Sequence, residues 1–161
     1  MNERNPLIDT ADVLKATRLP SKGARGAAKF LMMLLGINKI NKAYEEVQHL
    51  KGIVFVKSIL QKLSITFEVS PEELKRIPAS GSFITVSNHP YGGLDGLILI
   101  ALLGRQRPDF KVLGNYLLHR IDPMQEFILP VDPFESKKAR AASVPGIKMA
   151  LRHIAEGHPL G

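Results

Sequence analysis

Cysteine is absent from this chain of 161 residues. Without thiols the protein can form no disulfide, hold no metal through thiolates and use no cysteine nucleophile. The absence agrees with a reducing cytoplasm. A mean hydropathy near zero and a hydrophobic content of 45% describe a folded protein with enough apolar material for one core.

Acidic residues are missing between positions 13 and 42, where seven Lys or Arg occur. Residues 1–62 hold 11 basic and 5 acidic side chains, whereas residues 63–161 hold 11 and 10. A local basic field of this kind attracts nucleic acids or anionic lipid surfaces. Nucleic-acid binding usually adds exposed aromatic residues or a recognisable module. Because neither is visible, we expect no nucleic-acid partner.

A long apolar run is lacking too. The run at 30–37 has eight residues, whereas about 20 are needed to span a bilayer. Lysines and an arginine flank it on both sides, namely Lys22, Arg25, Lys29, Lys39 and Lys42. A short, basic and strongly apolar helix is typical of one that lies in a membrane interface. The alternative is a core helix with solvated basic ends. We favour peripheral attachment to a lipid surface.

Hydrophobic periodicity and turn residues predict alternating helices and strands. The helices are expected at 10–17, 24–35, 38–50 and 53–63, from Ser70, from the glycine-rich turn at 88–96 to 103, and from Val144 or Pro145 to 155; the strands are expected at 64–69, 82–87, 109–113 and 127–131. Pro130 places the last strand at an edge or ends it early. The fold class is therefore α/β, with a mixed, partly parallel sheet flanked by helices. We divide the chain into an N-terminal helical, membrane-interface segment (1–63) and an α/β domain (64–161).

The glycine-rich turn from Asn88 to Gly96 is the part of the sequence that says most about which reactions the protein could catalyse. Its sequence is Asn-His-Pro-Tyr-Gly-Gly-Leu-Asp-Gly. It joins a predicted strand to a predicted helix, which is where open α/β folds place ligand sites. His89 can act as a general base, and Asp95 can hold its ring in one tautomer. The glycines at 92 and 93 would let backbone N–H groups approach a ligand. The residues alone leave a plainer interpretation open, a turn histidine and an aspartate helix cap.

The same turn resembles the first motif of the glycerolipid (lysophospholipid) acyltransferase superfamily. It is most similar to the bacterial branch called hemolysin-like, which includes acyltransferases of amino-acid lipids such as ornithine or glycine lipids. The usual motif has four residues between His and Asp, whereas five separate His89 from Asp95 here, as in the variant of that branch. The segment from Lys111 to Asp132 is similar to the family's second block, although the usual arginine at its end is not obvious.

The resemblance implies an O-acyltransferase that moves a fatty acyl chain from acyl-CoA or acyl-carrier protein to the hydroxyl of a lyso-lipid. His89 would be the base, Asp95 would orient it, and Asn88, Gly92 and Gly93 would contact substrate. No cofactor or metal is expected. The place of action would be the cytoplasmic face of the inner membrane, as a peripheral protein. A third motif, a Phe-Pro-Glu-Gly-like turn, is expected shortly after Gly161, so we expect the α/β domain to be incomplete here.

Other polar groups are weaker candidates. Lys137, Lys138 and Arg140 could hold a phosphate or carboxylate head group, although a solvated loop is the more ordinary interpretation. The remaining histidines show no metal-ligand spacing, so we expect them at the surface or at helix ends; they are His49, His119, His153 and His158. Ser87 lacks the Gly-x-Ser-x-Gly surroundings of a serine nucleophile.

Two other functions stay open on the sequence. One is a catalytically inactive fragment or non-catalytic membrane-binding domain, and the other is a thioester hydrolase that directs the same His–Asp pair at water. The sequence predicts no oligomeric state.

Overall fold

A computed structural model describes residues 6–17, 24–115, 118–132 and 137–161. Within the helices, the side chains of Ala16, Arg120 and residues 137–140 lie outside this description. The α-helices are α1 (Thr10–Thr17), α2 (Ala24–Leu34), α3 (Ile37–Val47), α4 (Gly52–Lys62), α5 (Pro71–Leu74), α6 (Gly93–Gln106) and α7 (Lys137–Ala155). The strands are β1 (Val112–Asn115) and β2 (Ile128–Val131), and two 3-10 helices at Leu118–Arg120 and Asp122–Phe127 lie between them. The predicted α/β class is confirmed.

Several boundaries follow from local chemistry. Helix α1 has the predicted bounds, and α2 ends before Gly36, whose positive φ of 68° suits glycine. Helix α5 begins with a complete capping box: the Ser70 hydroxyl accepts from the Glu73 N–H, and the Glu73 carboxylate accepts from the Ser70 N–H. Short-range capping therefore decided these helix ends.

The sheet is parallel. β1 pairs with β2 from Val112 opposite Ile128 to Asn115 opposite Val131. On the other side of β1, residues 159–161 form single parallel bridges to both Lys111 and Ile84. Four extended segments thus lie side by side in the order 83–85, 159–161, β1 and β2, with bonds such as Thr85 N–H to Leu160 O at 2.8 Å. The carboxyl ends of neighbouring parallel segments therefore meet at one edge.

The two faces of this sheet are covered by different helices. Val112 and Ile128 belong to the main hydrophobic core, together with buried residues of α3, α4 and α6 such as Val56 and Ile100. The alternate strand residue Leu129 forms a second cluster with Ala150 of α7. Alternation of side chains along a strand gives each face its own helical layer.

Helix α7 approaches β2 unusually closely at Gly146. A Cβ built on Gly146 would lie 1.9 Å from the Pro130 carbonyl oxygen, so no larger residue fits there without moving the helix. The Ser143 hydroxyl accepts from the Asp132 N–H at 2.8 Å and donates to the Asp132 carbonyl at 3.2 Å. These contacts fix α7 on the sheet.

Helices α1 and α2 pack on each other through a separate small cluster of Val13, Ala28 and Met32. Helices α3 and α4, by contrast, contribute buried residues to the main core. The division at residue 63 stays a prediction.

Three predicted elements differ from the structure. The strand predicted at 64–69 is absent, because no other segment of the described chain pairs with these residues. Residues 82–87 form only the single bridge at Ile84, whose partner is Leu160. Helix α7 begins at Lys137, not at Val144 or Pro145; packing of Gly146 and Ala150 on the sheet offsets the ~3 kcal/mol cost of an internal proline.

Candidate active site

The chain reverses between the extended segment and α6 in a turn that glycine makes possible. Gly92 adopts φ 62° and ψ −127°, a conformation that side chains with a Cβ rarely reach. Its N–H donates to the His89 carbonyl at 3.5 Å, and its carbonyl accepts from the Asp95 N–H at 3.1 Å. The turn therefore brings His89 back over the first turn of the helix.

Asp95 is held in that first turn by the backbone. Its Oδ2 accepts a hydrogen bond of 2.8 Å from the Tyr91 N–H, and its side chain is only 17% exposed. The positive end of the α6 dipole also stabilises a carboxylate at this position. Asp95 is thus not the N-cap of α6, which is Gly92; its carboxylate holds the turn before the helix, and it has a second neighbour.

That neighbour is His89. The His89 Nδ1 lies 3.5 Å from the same Asp95 Oδ2, and the imidazole is 60% exposed. A shift of a few tenths of an ångström would make this contact a hydrogen bond, and such bonds often tighten when substrate binds. A carboxylate beside Nδ1 favours the tautomer with its proton there, which leaves Nε2 free to accept a proton.

Both residues line a cavity of about 320 Å³. Its polar lining includes Ser87, His89, Asp95 and Asn115, and its apolar lining is contributed by α6, the strands and the segment between them: Leu99, Ile100, Val112, Leu113, Leu118, Met124 and Ile128. The volume lies at the small end of the range for ligand pockets. The arrangement offers a base at the edge of an apolar hollow.

The other residues predicted to contact substrate are placed differently. Gly93 lines the cavity, whereas Asn88 and Gly92 are not among its lining residues. Lys137, Lys138 and Arg140 lie in the first turn of α7, and their side chains fall outside the described part of the structure. The substrate-binding roles of all these residues stay predictions.

Sequence reasoning missed part of the cavity wall. Asn115 ends β1, and Thr85 and Gly161 line the cavity from the neighbouring extended segments. The general rule that parallel strands place ligand groups at their carboxyl ends could have found Asn115. Gly161 could not have been found, because only the tertiary pairing inserts residues 159–161 between Ile84 and Lys111.

A second His–Asp pair lies elsewhere, in what we term the arginine cluster (Arg107, Asp109, His153 and His158). The Arg107 guanidinium, which is buried, donates to both Asp109 carboxylate oxygens at 2.9 and 2.7 Å. It also donates to the carbonyls of Pro78 (3.3 Å), Gly81 (2.8 Å) and Gly157 (3.3 Å). The cluster ties the loop before the extended segment to the turn after α7.

The histidines complete this cluster. His158 Nδ1 lies 2.7 Å from Asp109 Oδ2, and its ring stacks on His153 at 4.8 Å. His153 lies in the last turn of α7, as expected of a helix-end residue, but it is buried, and this burial lowers its pKa. The hydrogen bond from Arg107 holds the pKa of Asp109 well below its ordinary value. Among the described residues, no group of three or more His, Asp or Glu side chains could hold a metal ion.

A His–Asp pair on a glycine turn, at the carboxyl edge of parallel strands and beside an apolar cavity, defines a site suited to acid–base group transfer. The chain belongs to the acyltransferase family, whose model matches residues 13–149. It is 28% identical over 130 residues to the lyso-glycine lipid O-acyltransferase of Bacteroides thetaiotaomicron. It is 26% identical over 130 residues to the protein of that name in Phocaeicola vulgatus.

The alignments cover 78% of this chain in both cases, but only 47% and 46% of the two relatives. The chain thus spans about half the length of the curated relatives it matches. No solved structure matches the chain significantly. The resemblance drawn from the Asn88–Gly96 motif is confirmed for the acyltransferase family, and the two relatives are named for transfer to a lyso-glycine lipid.

Proposed function

We propose that this chain carries the reaction centre of an O-acyltransferase that moves a fatty acyl group from a thioester to the hydroxyl of a lyso-lipid. The observation that carries the proposal is His89 beside Asp95 at the edge of the apolar cavity. The family match and the name shared by the two relatives support it, and they favour a lyso-glycine lipid as acceptor. The imidazole can accept the proton of the acceptor hydroxyl, and the apolar lining of the cavity can accommodate a fatty acyl chain.

In the proposed reaction, His89 Nε2 takes the proton of the acceptor hydroxyl as the oxygen attacks the thioester carbonyl carbon. The tetrahedral intermediate collapses with cleavage of the C–S bond, and the imidazolium returns the proton to the departing thiolate. The products are the ester and the free thiol, so atoms and charge balance. Asp95 orients the ring and stabilises the imidazolium that forms between the two steps.

The negative charge that develops on the carbonyl oxygen also needs stabilisation. Helix α6 begins at Gly93, beside the cavity that His89 and Asp95 line. The positive end of its dipole would stabilise an oxyanion formed there. The thioester is already an activated acyl donor, so the proposed chemistry needs no bound cofactor or metal. The donor is acyl-CoA or acyl-carrier protein.

Helix α2 supports a lipid surface as the partner. Its inward positions hold Ala24, Ala28 and Met32, and Leu31 packs partly against them, whereas its other large apolar side chains point outward. Four of them, Phe30, Met33, Leu34 and the adjoining Leu35, are each at least 60% exposed, and we term them the apolar ridge. Lys29, Lys39 and Lys42 are exposed nearby in sequence. A core helix would turn its large residues inward, so this arrangement favours the membrane-interface hypothesis.

The mode of attachment that we propose is peripheral, at the cytoplasmic face of the inner membrane, where thioester donors and lyso-lipids meet. Within the described ranges, no helix is long and apolar enough to cross a bilayer.

The test compares acyl transfer by the wild-type chain, His89→Ala and the control His49→Ala, with acyl-CoA and a lyso-glycine lipid in mixed micelles. We expect His89→Ala to lose acyl transfer by about 10²- to 10⁴-fold and to keep its thermal stability, since the imidazole is mostly exposed. His49 is exposed at the end of α3, and its replacement should leave the rate unchanged.

Three outcomes would contradict the proposal. Undiminished transfer by His89→Ala would remove the base from the mechanism. Consumption of the thioester without an acylated lipid would instead identify a thioester hydrolase. Absence of transfer by the wild-type chain, with binding to anionic vesicles retained, would favour a non-catalytic membrane-binding domain.

A further inference from the structure

Gly96 follows Asp95 in α6 and lines the same cavity. A Cβ built on it would meet no atom within 4 Å. Its φ is not positive, unlike that of Gly92, so the backbone at this position accepts any ordinary residue. Glycine is also one of the poorest residues for a helix interior. What glycine provides at position 96 is therefore empty space, not conformational freedom.

That space lies on the route from the reacting groups to the cavity floor. Along α6 the lining residues are Gly93, Asp95, Gly96, Leu99 and Ile100. At 1.5 Å per residue, Asp95 and Ile100 are separated by about 7 Å along the helix axis. His89 at the start of this route is largely exposed, whereas Ile100 at its end is fully buried. Along the lining of the cavity, Gly96 therefore lies between the exposed His89 and the buried Ile100.

We propose that Gly96 sets the width of the passage for the donor's acyl chain next to the thioester carbonyl, and so determines which chain lengths are accepted. This inference rests on the proposed function. The carbonyl carbon must come within about 3 Å of the attacking oxygen near His89, and the first methylenes are bonded directly to it. The apolar route along α6 is where these methylenes lie.

The experiment uses the wild-type chain, Gly96→Ala, Gly96→Leu and the control Gly26→Ala, with acyl-CoA donors from acetyl to palmitoyl and one fixed lyso-glycine lipid. Gly26 is an exposed helical glycine of α2 that also has no atom within 4 Å of a built Cβ. It lies outside the apolar ridge. Both alanine variants should unfold roughly 1 to 4 °C higher than wild type, because each replaces a helical glycine.

The dependence of acyl transfer on donor chain length should differ between variants at Gly96 and the variant at Gly26. One methylene in an apolar pocket changes kcat/KM by about 10- to 200-fold. We therefore expect Gly96→Leu to lose at least about tenfold with palmitoyl-CoA while it stays within about threefold of wild type with acetyl-CoA. Gly96→Ala should show the same trend more weakly, and Gly26→Ala should keep the wild-type profile.

The failures are distinguishable. An active wild-type chain whose Gly96→Leu variant keeps the chain-length profile, or loses all donors equally, would overturn the role of Gly96 and leave the proposed function standing. A changed preference for the chain of the lyso-lipid, at a fixed donor, would also overturn it. A wild-type chain that transfers no acyl group would overturn the proposed function, and the acyl-chain assignment with it.

Discussion

The described part of the chain contains two His–Asp pairs that differ in distance, exposure and neighbours. His89 and Asp95 lie 3.5 Å apart, and the imidazole faces open space at a cavity. His158 and Asp109 lie 2.7 Å apart, and the same carboxylate is bound by the buried Arg107. The first pair has one residue free to exchange a proton with a ligand. In the second pair the carboxylate is shared between His158 and the buried Arg107.

The difference indicates that the Asp109 pair stabilises the fold, whereas the His89 pair is the candidate for chemistry. Arg107 neutralises Asp109 and ties it to the segments that carry Gly81 and Gly157, which keeps residues 159–161 between Ile84 and Lys111. That inserted segment in turn forms one wall of the cavity through Gly161. The arginine cluster therefore holds in place a segment that forms one wall of the cavity at which the His89–Asp95 pair would act. A His–Asp contact is a candidate for catalysis only where a solvent-accessible cavity and an unfilled acceptor accompany it.

The largest expected effect comes from Asp95→Asn. Asparagine keeps an oxygen that can accept from the Tyr91 N–H, so this hydrogen bond in the turn survives and the free energy of unfolding should change by no more than about 1 kcal/mol. The negative charge beside His89 is lost, and turnover should fall by about 10²- to 10⁴-fold. Steady-state acyl transfer and urea unfolding measure the two quantities. Turnover close to wild type would leave Asp95 with a structural role alone.

Asp109→Ala should show the opposite pattern, with a loss of stability. Removing the carboxylate leaves the buried Arg107 guanidinium without its charge partner, which should cost about 2 to 4 kcal/mol. The free energy of unfolding in urea is the measurement, and amide exchange at Thr85 and Leu160 should rise with it. If the variant were as stable as wild type, the arginine cluster would not be the support of the inserted segment.

The pH dependence of stability should also depend on groups of the arginine cluster, namely Asp109 and His153. The pKa of Asp109 is depressed, so its contribution is complete above the ordinary value of 3.8 and is lost as the pH falls below it. Burial lowers the pKa of His153 below its ordinary 6.5, so the unfolded chain binds that proton first and stability also declines below about pH 6.5.

Urea midpoints from pH 3 to pH 8 check both steps. Asp109→Asn should weaken the decline below pH 3.8, and His153→Gln should remove the decline that begins near pH 6.5. Profiles identical to wild type in these variants would assign the pH dependence to other groups.

The smallest effect is expected at the exposed ion pair of α7. Arg152 and Glu156 are one helical turn apart with N–O 2.9 Å, and both are well exposed. Solvent screens such pairs, so Glu156→Gln should leave the urea midpoint within error of wild type. A clear loss of stability would mean that exposure is a poor guide to which carboxylates of this chain matter.

Much of the local structure was predictable because its causes are local. The capping box at Ser70 and Glu73, the break at Gly36 and the turn at Gly92 each depend on residues within about one helical turn. The motif also predicted that His89 and Asp95 are neighbours, because only five residues separate them and the glycines among these allow a tight turn. Where the cause was remote, prediction failed. Residues 64–69 alternate like a strand but pair with no described segment, and Pro145 is tolerated inside α7 because Gly146 lies against Pro130.

By itself, the sequence determined the α/β class, the basic apolar segment of α2 and the His–Asp pair, because composition, periodicity and short spacing contain them. Only the tertiary structure decided that Phe30, Met33 and Leu34 of α2 point outward. It also decided that Gly161 forms a wall of the cavity and that the Asp109 carboxylate binds Arg107. Burial and pairing between distant segments depend on which surfaces meet in the folded protein. Patterns among residues that are close in sequence do not specify those contacts. The two His–Asp pairs have the same side-chain chemistry, and what distinguishes them is the space and the neighbours around each pair.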